Sequence, residues 1–127
     1  MIQEKALARA IAGTGDTVDF SGIWKNELQS TVTLEQEDGV LSGTYESAVS
    51  SDHKQTKGEL QGYVDGTLIS FVVHWCEFQA ITAWVGQLDP KTGQINTLWQ
   101  MTKQVDAGDE WASINAGADY FTRVPQA

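Results

Sequence analysis

The sequence predicts an all-β domain, an eight-stranded antiparallel up-and-down β-barrel, and three observations carry that expectation. From Asp19 onward, short runs alternate apolar and polar side chains with period two, the spacing that turns one face of a strand inward. The runs are rich in Val, Ile, Thr, Trp and Tyr, and turn residues separate them: EDG at 37–39, SSDHKQTKG at 50–58, VDG at 64–66, DPKTG at 89–93 and DAGDE at 106–110. Most of these breaks are hairpin-length, so a meander is the simplest topology, and a meander of eight strands can close on itself and remove its exposed edges.

The elements follow in order. The first 19 residues are mostly small or polar, with Ile2, Ala6, Leu7, Ala10 and Ile11 at helical spacing. They read as an arm, a short helix or disordered, ahead of a domain spanning 20–127. Arg9 interrupts a segment too short for the apolar core of a secretory signal. The first strand run, 22–30, turns Trp24, Asn26, Leu28 and Ser30 to one face. That face holds the tryptophan and should be buried, so an amide and a hydroxyl are buried with it and need hydrogen-bond partners. Run 31–37 turns Val32 and Leu34 inward, 40–47 turns Leu41, Tyr45 and Ser47, and 58–64 turns Leu60. Run 67–76 supplies Phe71, Val73 and Trp75, and run 80–88 supplies Ala80, Thr82 and Trp84. Run 94–103 supplies Thr97, Trp99 and Met101, and the last, 117–124, supplies Asp119 and Phe121. Between them, 106–115 lacks a strand pattern and is read as room for a helical turn.

This inward set is too polar for a plain core. Asn26, Ser30, Tyr45, Ser47 and Asp119 fall near the ends of their runs, and Trp75, Trp84 and Trp99 fall toward other rims. A dry core would use Leu and Val. Polar groups with an aromatic box describe a pocket for a compact ligand with an apolar body and a few hydrogen-bonding atoms. Trp24 reads instead as structural, packing near Arg123. Asn26, Ser30 and Ser47, taken singly, could each bond local backbone at a strand end.

Bulk properties narrow the partners. The 127 residues suit one domain, and the formal net charge is −9 from 17 acidic and 8 basic residues. There is no basic stripe to hold nucleic acid and no attraction to an anionic membrane. One cysteine, Cys76, cannot form an intrachain disulfide and reads as a half-buried thiol. His53, His74 and Cys76 offer no metal-ligand spacing. His74 alternates outward and makes no acid–base pair with Asp119, and no G-x-S-x-G, HExxH or phosphate loop occurs. An enzyme is therefore not indicated, and neither is a cofactor.

The stretches GIWKNELQS, GTYESAV, VVHW, TAWVGQ, INTLWQMT and the tail from DEW to AGADYFTR resemble, in order and spacing, the avidin and streptavidin family of biotin-binding proteins over about residues 20–124. The resemblance implies a streptavidin-like barrel that binds biotin tightly and non-covalently. It implies that Asn26, Ser30 and Tyr45 donate to the ureido oxygen, that Asp119 and Ser47 accept from the two ureido N–H groups, and that Thr82 lies near the thioether sulfur. Trp75, Trp84 and Trp99 would wall the bicyclic body, with Leu28, Val49 and Met101 also against the ligand. Trp111 matches a tryptophan that reaches into a neighbouring subunit's pocket, which implies a homo-oligomer, a tetramer rather than a dimer. A secreted or periplasmic location is the family's, although this chain shows no signal segment.

Several positions depart from the family pattern. Ala80 replaces a serine that contacts the biotin carboxylate, Phe78 replaces a small residue, and Met101 replaces a leucine. Ala112, Ala116 and Ala118 replace larger or basic residues. The ureido end is intact and the valerate end is altered, so the carboxylate is expected to lean on the 50–58 loop, through Ser50 and Ser51. Two rival readings are a lipocalin-like carrier of another small apolar ligand and a barrel kept as an assembly scaffold.

Overall fold

The computed structural model describes residues 1–48 and 56–125. Eight strands, β1 (Gly22–Asn26), β2 (Thr31–Glu37), β3 (Val40–Glu46), β4 (Lys57–Asp65), β5 (Leu68–Trp75), β6 (Ala80–Leu88), β7 (Ile95–Lys103) and β8 (Ile114–Arg123), pair with their sequence neighbours. β1 pairs with β8, Trp24 opposite Arg123 and Asn26 opposite Phe121, so the sheet closes into a barrel. A short helix, α1 (Gln3–Leu7), precedes it and a 3-10 turn at Glu110–Ala112 interrupts the β7–β8 connection. The predicted architecture and meander order are those observed.

Local chemistry explains the corners. Asp38 and Gly39 both have positive φ, 52° and 77°, as a two-residue type I′ hairpin requires, with the twist that matches flanking strands. Between β4 and β5, Gly66 at φ 61° makes the next tight turn. Alternation along the strands then fills the barrel with Trp24, Val32, Leu34, Leu41, Leu60 and Phe71 and their neighbours, all buried.

Two boundaries differ from the expectation by more than one residue. β1 stops at Asn26 rather than at Ser30. The Asn26 side-chain oxygen accepts from the backbone N–H of Leu28 (3.0 Å) and of Ser30 (2.9 Å), and Gln29 takes φ 70°. The chain turns there instead of extending, which throws Leu28 out to solvent although period two put it inside. Ser30 is buried nonetheless. β8 begins at Ile114, three residues ahead of the expected 117, because Asn115 and Ile114 continue the ladder opposite Met101 and Thr102. Its N-terminal half, INAG, carries no apolar alternation to announce a strand. Cys76 also differs from the expectation: it lies exposed in the bend after β5.

One end of the barrel is closed by its own chain. Phe20 is fully buried, and the Trp24 indole N–H donates to its carbonyl at 2.9 Å. The Arg123 guanidinium lies 4.4 Å from the Trp24 ring and donates to the carbonyls of Asp19 and Ser21. The Gln36 side chain clamps the entering strand, accepting from Phe20 N–H at 2.8 Å and donating to the Val18 carbonyl at 2.9 Å. Any ligand space therefore lies at the opposite end, where β1, β3, β5 and β7 finish and β2, β4, β6 and β8 begin.

Gln29 yields a test of this turn. A left-handed conformation costs an L-residue about 1–2 kcal/mol, which glycine avoids at some loss of unfolded-state entropy. Gln29→Gly should therefore raise unfolding stability by about 0.5–1 kcal/mol, read as a higher urea midpoint. A lower midpoint would mean the Gln29 side chain stabilises the turn in a way its exposure does not suggest.

Candidate ligand-binding site

The site is built from the strand ends at the open end of the barrel, and its floor is a chain of hydrogen bonds. Asn26 is buried, and its Nδ2 donates to the Tyr45 hydroxyl at 3.2 Å. The Oδ1 atom is engaged by two backbone N–H groups, so the orientation of the amide is determined and its NH2 faces the barrel interior. The Ser30 hydroxyl accepts from Ala48 N–H at 3.0 Å and neighbours the Tyr45 phenol, whose ionised form it favours. On β8, Asp119 accepts from the Trp84 indole N–H at 3.0 Å through Oδ2. Among the described residues, every buried side-chain N or O atom has a partner.

Burial sets the protonation of this floor. It pushes the Tyr45 hydroxyl well above the ordinary phenol range, against the opposing bond from Ser30, so Tyr45 is a neutral donor at physiological pH. Burial also raises Asp119, the Trp84 hydrogen bond opposes that, and the neighbouring Glu27 carboxylate raises it further. Glu27 stands at the start of the β1–β2 turn and accepts from Tyr120 N–H at 3.0 Å.

Aromatic rings stand above the floor. Tyr45 stacks on Trp84 with centroids 4.9 Å apart and meets Trp75 edge-on at 5.3 Å. Trp84 also stacks on Phe71 at 5.1 Å. The Trp75 indole N–H donates to the buried Thr82 hydroxyl at 2.9 Å, which fixes both side chains. Trp99, half-buried, packs over Gly117, where a Cβ would sit 2.5 Å from its ring. The mouth is a cavity of about 420 Å³ lined by Ser47, Trp75, Phe78, Ala80, Met101 and Lys103, with Thr56, Gln79 and Gln104 at its border. Ser47 and Thr56 bond to each other through Ser47 N–H to the Thr56 carbonyl and Thr56 N–H to Ser47 Oγ.

A desolvated floor of donors plus one carboxylate, aromatic walls and an open mouth describe a receptor for a small ligand with a polar head. The Avidin family model matches residues 14–124. The chain belongs to the avidin family. Among solved structures it is similar to Xenavidin, at 30% identity over 86% of this chain and 100% of that one, with TM-score 0.69. It is similar to the biotin binding protein from chicken, at 29% identity over 84% and 97% of the two chains, with TM-score 0.69. AVR2 matches at 28% identity over 85% and 97%, with TM-score 0.72.

In this avidin-family barrel, Asn26, Ser30, Tyr45, Thr82, Trp84 and Asp119 come together at the floor and wall. Ser47, Trp75, Ala80 and Met101 line the way out, and Phe78 stands exposed at the rim. Leu28 faces solvent. Trp111 is 83% exposed and borders a separate open groove beside Gln79 and Gln104, outside its own barrel. Val49, Ser50 and Ser51 lie outside the described residues. The sequence reading missed Glu27, which period two placed outward, and Lys103, which continues the inward series Thr97, Trp99, Met101 by one more step.

Asp119 yields a pH test with a definite sign. Its folded carboxyl is raised above 3.8, so its contribution to stability is complete below that value and is lost as pH rises through the folded value. Asp119→Asn removes that loss and leaves an oxygen for the Trp84 indole. In the ligand-free protein, the variant should have the higher urea midpoint at neutral pH, with the gap closing on acidification below pH 3.8. A neutral-pH midpoint equal to or below wild type would show that Asp119 is stabilised by its partners instead.

Proposed function

We propose that this protein binds biotin, one molecule per chain, non-covalently and with no cofactor, with the ureido group on the floor and the valerate toward the mouth. The observation that carries the reading is the convergence of Asn26, Ser30, Tyr45 and Asp119 at one end of an aromatic-walled space. Membership of the avidin family, and a similar chicken protein whose own description is biotin binding, support it.

The hydrogen-bond directions suit a ureido group. Nδ2 of Asn26 and the Tyr45 and Ser30 hydroxyls are three donors for one carbonyl oxygen, where they stabilise accumulating negative charge. Asp119 has Oδ2 on Trp84, which leaves Oδ1 to accept from one ureido N–H; Ser47 serves the other. Thr82 approaches the thioether, and Trp75, Trp84 and Trp99 cover the rings. Most of these groups are held by backbone or by each other before any ligand arrives, so little ordering entropy opposes binding. Nothing here calls for bond-making chemistry, and the role is that of a binder rather than an enzyme.

The same reading includes self-association, with a tetramer favoured. Val72, Ile81, Val85, Leu98 and Ile114 are exposed on the outer faces of β5 to β8, an apolar face of the kind that marks association. Trp111, projecting from the barrel beside it, would cover a neighbour's mouth.

Titration with biotin should change tryptophan emission and saturate at one equivalent per chain; no saturable response by fluorescence and calorimetry would falsify the proposal. Asp119→Ala should weaken biotin by about 2–4 kcal/mol, as for a buried hydrogen bond to a charged group left unmade, and by more than truncation of any one hydroxyl. An unchanged release rate in the folded variant would remove Asp119 from the site. Trp111→Lys puts a charge in a desolvated contact and should speed release and lower the native mass together. If wild type is already monomeric, or the variant releases biotin unchanged, the shared-site element fails.

A further inference from the structure

We propose that Lys103 receives the anionic chain end of the ligand at the mouth and makes this barrel selective for a free acid over its neutral amide. The inference rests on the biotin reading and names the group that meets the tail.

Strand parity places the residue. Lys103 follows Trp99 and Met101 at steps of two on β7, so its side chain leaves the sheet on the inward face. Across the ladder its partner is Ala80, which is buried and begins β6. Directly opposed residues have Cβ atoms about 5 Å apart. A methyl at position 80 therefore leaves room above it for the four-carbon lysine stem, where a larger side chain would compete. On the other side, Asn115 lies opposite Met101 and shares its parity with Gly117 and Asp119, so it too belongs to the inward set. Its Oδ1 accepts from Lys103 Nζ at 2.9 Å. The ammonium is thus tethered by a neutral amide at the rim of the cavity it lines.

Among the described residues, the tether leaves the charge without a carboxylate partner. An ammonium has three donors and Asn115 takes one. Among the described residues, the one ion pair within 4.0 Å is Lys57–Glu46, so no described carboxylate neutralises Lys103. Among the described residues, the cavity border adds the amides of Gln79 and Gln104 and no acidic side chain. In a chain of net charge −9, most of the surface repels an anion. A cation tethered at the mouth, on the inward face of β7, reverses that locally. Ala80 cannot donate to a carboxylate, so Lys103 supplies the donor from the facing strand.

The test compares release rates of biotin and of its primary amide from wild type, Lys103→Met and Lys103→Arg, at low and high salt. Lys103→Met should release biotin about threefold to tenfold faster, as for one partly exposed charge-assisted hydrogen bond, and leave the amide unchanged. Lys103→Arg should keep the preference for the acid, and high salt should erode it in wild type. Should Lys103→Met fail to fold, the wild-type acid-to-amide ratio and its salt dependence decide the matter. Tight wild-type binding of both ligands with equal responses to Lys103→Met, or an acid-to-amide ratio indifferent to salt, overturns this inference alone. Failure of wild type to bind either ligand overturns the biotin reading and this inference with it.

Discussion

The fixed orientation of one amide organises the candidate site. Asn26 closes the turn after β1 by accepting two backbone N–H groups on its Oδ1. This is the local bonding that competes with strand extension and favours Asn at such corners. It terminates the strand and, because the carbonyl is engaged, aims the NH2 into the barrel at Tyr45. Tyr45 in turn is wedged between Trp75 and Trp84, and Trp84 holds Asp119. A structural bond at a strand end and a donor aimed into a pocket are two halves of the same side chain.

The barrel is also built asymmetrically along its axis. At one end Phe20, Trp24 and Arg123 form a plug in which a cation, an indole and backbone carbonyls satisfy each other. At the other, the inward positions carry amides, hydroxyls and a carboxylate. Antiparallel closure without crossovers removes every sheet edge, so the strands can bear polar inward residues at one end while the apolar middle and the plug hold them together. The space is left at the end where, among the described residues, no segment returns across the barrel.

Much of this was legible in the sequence. Period-two alternation and turn residues identified eight strands, their order and most inward positions, because one buried face imposes that pattern. The same alternation picked out Asn26, Ser30, Tyr45, Ser47 and Asp119 as inward polar positions, and the resemblance added the ligand groups they are expected to meet. What escaped has physical causes. Leu28 was misplaced because alternation cannot see a side chain that captures the backbone and ends the strand. The start of β8 escaped because Asn115, opposite Met101, is polar and Ala116 is small, so no apolar alternation announces the strand there. Glu27 escaped because a turn, unlike a strand, does not respect parity. Lys103 was within reach of the parity argument, but a lysine at a strand end reads as solvated until its tether to Asn115 is seen.

The floor also bears on where binding strength originates. Most of its polar groups are already bonded to one another or to backbone in the free protein, so apart from Oδ1 of Asp119 a ligand exchanges hydrogen bonds rather than filling vacant ones. Exchange between satisfied partners yields a modest net gain, on the order of 1 kcal/mol per bond, unless a charge is involved. Asp119 is the charged member, and the free protein raises its proton affinity through burial and the neighbouring Glu27. Ionised Asp119 is therefore under-solvated before the ligand arrives, and a ligand N–H relieves that directly. A neutral hydroxyl in its place would have no such strain to relieve. The group that burdens the empty barrel is for that reason the one with most to gain on binding, while Asn26, Ser30 and Tyr45 contribute chiefly by being held in place.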